Sequence, residues 1–287
     1  MNLAVLLALA SGATWAIGMT VAKPALRHID LPSYMLGRWL LVAPLALGYA
    51  AVTGSLGFPG AYAVGMAALA GALDSAVGGF FYLLAMERTP AYQASTLAST
   101  APVWGVTTAI LILGEPARWQ VLAAALLAVA GAFLLVGRRV RIRDHALGSA
   151  FGLLTGFVWG FAETIPAKLA LDAGLSPISL LFVFACSGFV TIAAALPLLR
   201  TRYPRRIDRS GVGLTLLSAV GGAFLGWFFW LSALDRAPAS VISPVRGSTL
   251  VFALVYSILF LRERPHRIAL VGVALVLGGV LLVSTTG

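Results

Sequence analysis

Apolar residues along this 287-residue chain fall in blocks of about twenty, separated by short polar or charged connections. A helix rises about 1.5 Å per residue, so a block of about twenty residues crosses the roughly 30 Å of hydrocarbon in a bilayer. Ten blocks fit: 3–22, 32–53, 61–86, 90–113, 117–136, 146–168, 177–199, 210–234, 238–261 and 266–285. The pattern predicts an all-α membrane protein of ten transmembrane helices. No connection is long enough for a soluble domain, which excludes catalysis, sensing or nucleic-acid binding in a separate domain and places function inside the bundle.

Composition agrees, with 60% hydrophobic and only 10% charged residues. No Lys or Arg precedes the first block and Lys23 follows it, the reverse of a signal peptide, so a retained helix is expected. Cys186 is the single cysteine and lies within an apolar block, which excludes an intrachain disulfide or a thiolate metal site. The net charge of +10 is sorted by side rather than spread. Arg118, Lys168 and Arg236 are the only cations on one face, whereas fifteen lie on the other: Lys23, Arg27, Arg88, Arg138, Arg139, Arg141, Arg143, Arg200, Arg202, Arg205, Arg206, Arg209, Arg262, Arg264 and Arg267. Short basic loops stay cytoplasmic during insertion, so both termini are expected outside the cell, and the basic runs read as topology signals rather than a nucleic-acid site.

The chain repeats itself. FFYLLAMERTP, from Phe80 to Pro90, matches FFWLSALDRAP, from Phe228 to Pro238, at an offset of 148 that Glu115 and Glu263, and Gly131 and Gly279, also keep. SGATW ending at Trp15 matches TGFVW ending at Trp159 at an offset of 144. A duplicated five-helix unit follows, with halves at 1–143 and 144–287. Because five is odd, the second copy enters the membrane from the opposite side, giving two inverted five-helix repeats. Exchange of conformation between such halves opens a midplane site alternately to either side; the alternative is a duplication that built a larger scaffold.

These residues resemble the drug/metabolite transporter superfamily, in particular its EamA-type ten-helix transporters. The resemblance rests on the Trp-bearing first and sixth helices, on Pro90 and Pro238 at the starts of the fourth and ninth, and on Gly114-Glu115 with Arg262-Glu263 at their ends. It implies a central cavity lined by helices one, three, four, six, eight and nine. One feature departs from the pattern: members commonly have cytoplasmic termini and a basic second connection, whereas 54–60 carry no charge. The direction of transport is therefore not carried over.

Ionisable groups inside a bilayer are costly, and those that remain usually face a protein interior or an aqueous cavity. Asp74, beside Ser75 and among Gly71, Gly78 and Gly79, is the first choice for a proton-binding or substrate-amine site; the alternative is a hydrogen-bonded clamp between helices. Glu163 and Arg246 lie roughly 7 to 12 Å from the outer helix ends by rise per residue and can meet. They form either a salt bridge joining helices six and nine, or a site in which Arg246 holds a substrate carboxylate while Glu163 or Asp74 meets an amine. Arg38, about six residues into the second helix, is expected to snorkel to the cytoplasmic interface and to form no site.

Trp15, Tyr82, Trp159 and Trp230 form pseudo-symmetric pairs suited to stacking on an organic solute, ahead of Trp104 and Trp227. Gly148, Gly152, Gly156 and Gly160, like Ala8, Gly12 and Ala16, make small-residue stripes for close helix packing. Pro44, Pro102 and Pro244 are expected to bend their helices, and Glu115 and Glu263 to cap helices or pair with ions.

The chain offers no GxxxxGK[ST] phosphate loop, no nucleophile with a matched base, and no membrane metal cluster, since His28, His145 and His266 fall in connections. It is read as a secondary active transporter, not an enzyme, without cofactor, moving an amino acid or amphipathic metabolite across a bacterial inner membrane by alternating access. Protons at Asp74 and Glu163 are candidate coupling ions, and membrane lipids are its other partners. The alternatives are a flippase for a polar-headed lipid and a non-transporting structural subunit.

Overall fold

The computed structural model describes residues 3–89, 91–136, 146–261 and 267–285, and every regular element among them is helical. α1 spans Leu3–Ala25 and α2 Leu31–Thr53. α3 runs from Ala61–Ala72 through a π-helical segment, Leu73–Gly78, into Gly79–Arg88. α4 comprises Ala91–Ala98 and Ala101–Leu113, α5 is Trp119–Val136, α6 comprises Ala146–Ala162 and Ile165–Asp172, and α7 is Pro177–Arg200. α8 repeats the design of α3, with Arg209–Leu217, a π segment Ser218–Phe224 and Leu225–Leu234. α9 is Ala239–Ile242, a 3-10 segment Ser243–Gly247 and Ser248–Leu261, and α10 is Arg267–Ser284. Eight segments are long and apolar enough to cross a membrane; Trp119–Leu135 and Ile268–Ser284 are apolar but shorter. Pro90, Arg138, Arg139, Arg141, Arg143, His145, Arg262, Glu263, Arg264 and His266 lie outside the described residues.

Most interruptions have a covalent cause. Proline has no N–H and its ring crowds the carbonyl four residues back, so a helix tends to break there. Pro102 follows the break at Ala98, and Pro166 follows the break at Ala162. Pro244 sits in the 3-10 segment of α9. Pro44, by contrast, lies within an unbroken α2. The π segments occupy corresponding glycine-containing stretches of the two halves and were not foreseen from the sequence pattern.

Contacts between helices are unchanged when the halves are exchanged. α1 packs on α8 and α9 as α6 packs on α3 and α4; α2 packs on α7, and α5 on α10. Small residues allow this approach. A Cβ on Gly156 would strike Thr100 and one on Gly12 would lie 2.5 Å from Ser248 Oγ, two contacts related by the repeat. At Gly160 a Cβ would run into the Ala101 carbonyl. The glycine stripe of α6 thus packs against the end of α3 and along α4.

The two faces are fastened differently. At one, the 26–30 connection meets residues 201–208 through an isolated antiparallel bridge between Ile29 and Ile207. Asp30 caps α2 by accepting from the Ser33 amide at 3.0 Å, and also accepts from the Arg206 amide at 2.8 Å and from Arg200 Nη1 at 2.8 Å. Glu87 accepts from Arg202 Nη2 at 2.8 Å and from the Tyr203 hydroxyl, and His28 Nδ1 lies 2.8 Å from Asp208. Apart from the Ser33 cap, each of these ties joins the first half to the second. Burial tends to raise the Asp30 pKa, but the Arg206 and Ser33 amides, the Ser33 hydroxyl and Arg200 outweigh it and hold the carboxyl below its ordinary value. Burial and the Glu87 carboxylate push the Tyr203 phenol up to about 12.

The other face carries hydroxyl and amide ties. Ser176 Oγ donates to the Ser55 carbonyl at 2.9 Å, and the Gly57 amide donates to Ser179 Oγ at 3.1 Å. Glu115 accepts from the Ala239 and Ser240 amides, both at 2.8 Å, so a carboxylate of the first half caps α9 of the second.

Gly160→Leu forces the α4 backbone away and costs about 1–3 kcal/mol, whereas Gly213→Leu, whose Cβ meets nothing within 4 Å, leaves thermal stability in detergent unchanged. Asp30→Ala removes a cap and a cross-half tie, a loss of about 2 kcal/mol. Because folding depresses this carboxyl, its contribution is complete above the ordinary value of 3.8 and is lost as pH falls through the lower folded value. A stability profile across that window is flatter in the variant.

Candidate functional site

The break in α6 creates the site. Pro166 cannot donate to the Ala162 carbonyl, so the helix stops at Ala162 and turns through Glu163 and Thr164 before resuming at Ile165. The Glu163 carbonyl, freed from the helical ladder, accepts instead from Trp230 Nε1 of α8 at 2.9 Å. The side chain points to the 3-10 segment of α9. There Arg246 meets it in a two-pronged pair, Nη2 to Oε1 at 2.7 Å and Nε to Oε2. Glu163 is 3% exposed. A carboxylate this deep is stable only because a matched guanidinium satisfies both oxygens.

The guanidinium lies between two pseudo-equivalent rings. The Arg246 Cζ is 5.6 Å from the ring centroids of both Trp15 and Trp159, one from each half, within the range where a ring face attracts a cation. Each Trp sits over a glycine of the opposite half: a Cβ on Gly226 would run into Trp15, and one on Gly78 would lie 2.5 Å from Trp159. Their partner rings repeat too. Trp15 stands 5.4 Å from Trp230 at 39°, and Trp159 stands 5.3 Å from Tyr82 at 41°. The symmetry inferred from FFYLLAMERTP and FFWLSALDRAP therefore reappears as side-chain geometry.

Asp74 lies in the π segment of α3 and is buried. Its backbone carbonyl accepts from Trp159 Nε1 at 3.1 Å. Its carboxylate is close enough to Glu163, Arg246 and Arg38 to interact electrostatically with all three. All seven residues selected from the sequence, Asp74, Glu163, Arg246, Trp15, Tyr82, Trp159 and Trp230, thus converge at the junction of α1, α3, α6, α8 and α9.

Trp230 is fully buried at the centre, and two hollows lie at the faces, one beside Ser55, Phe58 and Gly174 and another beside Leu84, Glu87 and Tyr203. Arg38, expected to form no site, packs against rings. Its Nε is buried without a hydrogen-bond partner and its Cζ lies 5.7 Å from the Tyr34 ring and 5.8 Å from the Trp39 ring. The sequence signal was available in the spacing of Tyr34 and Arg38, four apart on one helical face, which places a ring beneath the guanidinium. Pro166 was also passed over, although it fixes the position of Glu163.

Glu163→Gln leaves the Arg246 guanidinium without its counter-charge and costs about 3–5 kcal/mol in thermal unfolding. The double variant Glu163→Met with Arg246→Met recovers most of that loss, because no lone charge remains buried.

Known proteins agree with this architecture. The EamA-like transporter family model matches twice, over residues 2–137 and 146–285. A protein named as a probable terminal-alkyne amino-acid exporter, from Streptantibioticus cattleyicolor, is 32% identical across 96% of this chain and 94% of its own. Uncharacterized transporters of Archaeoglobus fulgidus and Helicobacter pylori are 24% and 25% identical, covering 72% and 71% of this chain and 70% and 68% of theirs. A crystal structure at 15% identity superposes with a TM-score of 0.85 over 99% of both chains, a likeness of fold. By the paired family match and the full-length relative, this multi-pass helical membrane protein belongs to the EamA-like transporter family, whose members are transporters and not enzymes.

Proposed function

We propose that the chain is a secondary transporter that carries an amino acid or a similarly amphipathic metabolite across the bacterial cytoplasmic membrane by alternating access. The observation that carries this is the Glu163–Arg246 pair with Asp74 beside it. Three ionisable groups at the meeting of the two halves are costly for a scaffold, which an apolar filling serves better. Their charges match the two ends of a zwitterion, and the name of the Streptantibioticus relative points to the same chemical class.

The bundle is read as ten spans in two inverted halves, 1–143 and 144–287, with both termini outside. Inversion is supported by which connections meet: 26–30 lies against 201–208, and Ser55 against Ser176. A first connection therefore pairs with the other half's second at both faces. Trp230 is fully buried at the centre. Opening moves one half against the other, separates Trp15 from Trp159 and exposes Arg246 to a substrate carboxylate, with Asp74 or Glu163 on the ammonium. Tyr82, Trp159, Trp15 and Trp230 wall the substrate, and protonation of Asp74 and Glu163 couples its movement to the proton gradient.

The test is counterflow into proteoliposomes with a panel of amino acids, amines and nucleosides. Wild type accumulates labelled amino acid against unlabelled solute inside, and Asp74→Asn and Arg246→Ala lower the rate at least about tenfold, equivalent to the loss of one charged contact. Absence of counterflow for every solute in wild type overturns the transporter proposal for this chain. Normal rates in both variants overturn the site.

A further inference from the structure

We infer that Arg38 is a substrate-contacting residue, a second anion-binding group that holds the carboxylate of a zwitterionic amino acid while Asp74 holds its ammonium. The inference rests on the transporter reading above and adds to it a residue and a selectivity.

Two polar groups at one level of the bundle lack partners, and a carboxylate lies beside them. Arg38 Nε and Ser75 Oγ are buried with no hydrogen bond among the described residues. The carboxylate of Asp74, adjacent to Ser75, lies within electrostatic reach of Arg38. The helices set these groups level. A Cβ on Gly79 would lie 2.9 Å from the Met35 methyl, so α2 and α3 touch at Met35 and Gly79. One turn along α2 from Met35 is Arg38, and one turn back along α3 from Gly79 is Ser75. The two helices are joined by the short 54–60 connection and run in opposite senses, so both steps go the same way through the membrane. A buried donor left without an acceptor costs about 1–3 kcal/mol, a cost removed by a ligand that supplies an acceptor.

Arg246 already has its carboxylate, whereas Arg38 has none. The two guanidiniums are linked by a wall of rings: Arg38 over Trp39, Trp39 at 5.3 Å from Phe184, Phe184 at 4.2 Å from Trp227, Trp227 at 5.5 Å from Trp15, and Trp15 beneath Arg246. Arg38 lies eight residues into α2, towards the face of the 26–30 and 201–208 connections, and Arg246 eight residues into α9, towards the opposite face. Each face therefore has its own carboxylate-binding arginine, and Asp74 interacts with both. A solute entering from the Arg38 side meets a free guanidinium before the Glu163–Arg246 pair opens.

The experiment compares L-leucine, leucinamide and N-acetyl-L-leucine in proteoliposome counterflow, for wild type, Arg38→Gln, Arg38→Lys and Asp74→Asn. Wild type favours leucine over leucinamide by at least about tenfold, the worth of one hydrogen bond to a charged group. Arg38→Gln reduces that preference at least severalfold, leaving the share that Arg246 carries, and keeps the preference for leucine over N-acetyl-leucine; Arg38→Lys restores part of the first; Asp74→Asn abolishes the second. An Arg38→Gln protein that distinguishes leucine from its amide as sharply as wild type overturns the inference, whatever its overall rate. So does a wild type that moves both equally, which leaves the transporter reading standing. If Arg38→Gln does not fold, Arg38→Lys decides: an unchanged ratio there, with a shorter point charge in place of the planar fork, counts against the inference.

Discussion

A carboxylate and a guanidinium closed on each other in the interior of an apolar bundle constrain almost everything around them. Neither Glu163 nor Arg246 is tolerable there alone, so the helices that bear them must arrive at one depth and in one orientation. The chain achieves this with local irregularity. Pro166 breaks α6 at the level where Glu163 must turn inward, and a 3-10 segment in α9 presents Arg246. The Trp15 and Trp159 rings then flank the guanidinium, and they approach so closely because Gly226 and Gly78 have no side chain.

Symmetry and chemistry part company at this point. The rings, glycines and π segments recur in both halves, but the charges do not. At the offsets set by the repeats, Asp74 corresponds to Gly222, Arg246 to Ala98 and Glu163 to Met19. The duplicated part supplies a frame of near-twofold symmetry, and the unduplicated charges break that symmetry at its centre. A frame without those residues would pack at least as well in lipid.

Much of this was legible in the sequence. Block length and offset carried the helices and the repeat, because hydrocarbon thickness and helix rise leave few options. Burial cost carried Asp74, Glu163 and Arg246. What escaped depends on angular position around a helix axis, which a uniformly apolar helix does not reveal: depth alone gives no sign that Arg38 lies over the Tyr34 and Trp39 rings. The π segments escaped for a related reason, since one inserted residue leaves hydropathy unchanged.

The unequal fastening of the two faces has a consequence of its own. Asp30, Glu87 and His28 hold one side together through charge, while Ser176, Ser179 and the Gly57 amide hold the other largely through neutral dipoles. Dissolved ions screen the exposed members of the first kind, such as His28 with Asp208, over about 8 Å at physiological strength and scarcely touch the second. The salinity of one compartment thus loosens one face more than the other, an asymmetry its near-twofold frame would otherwise lack.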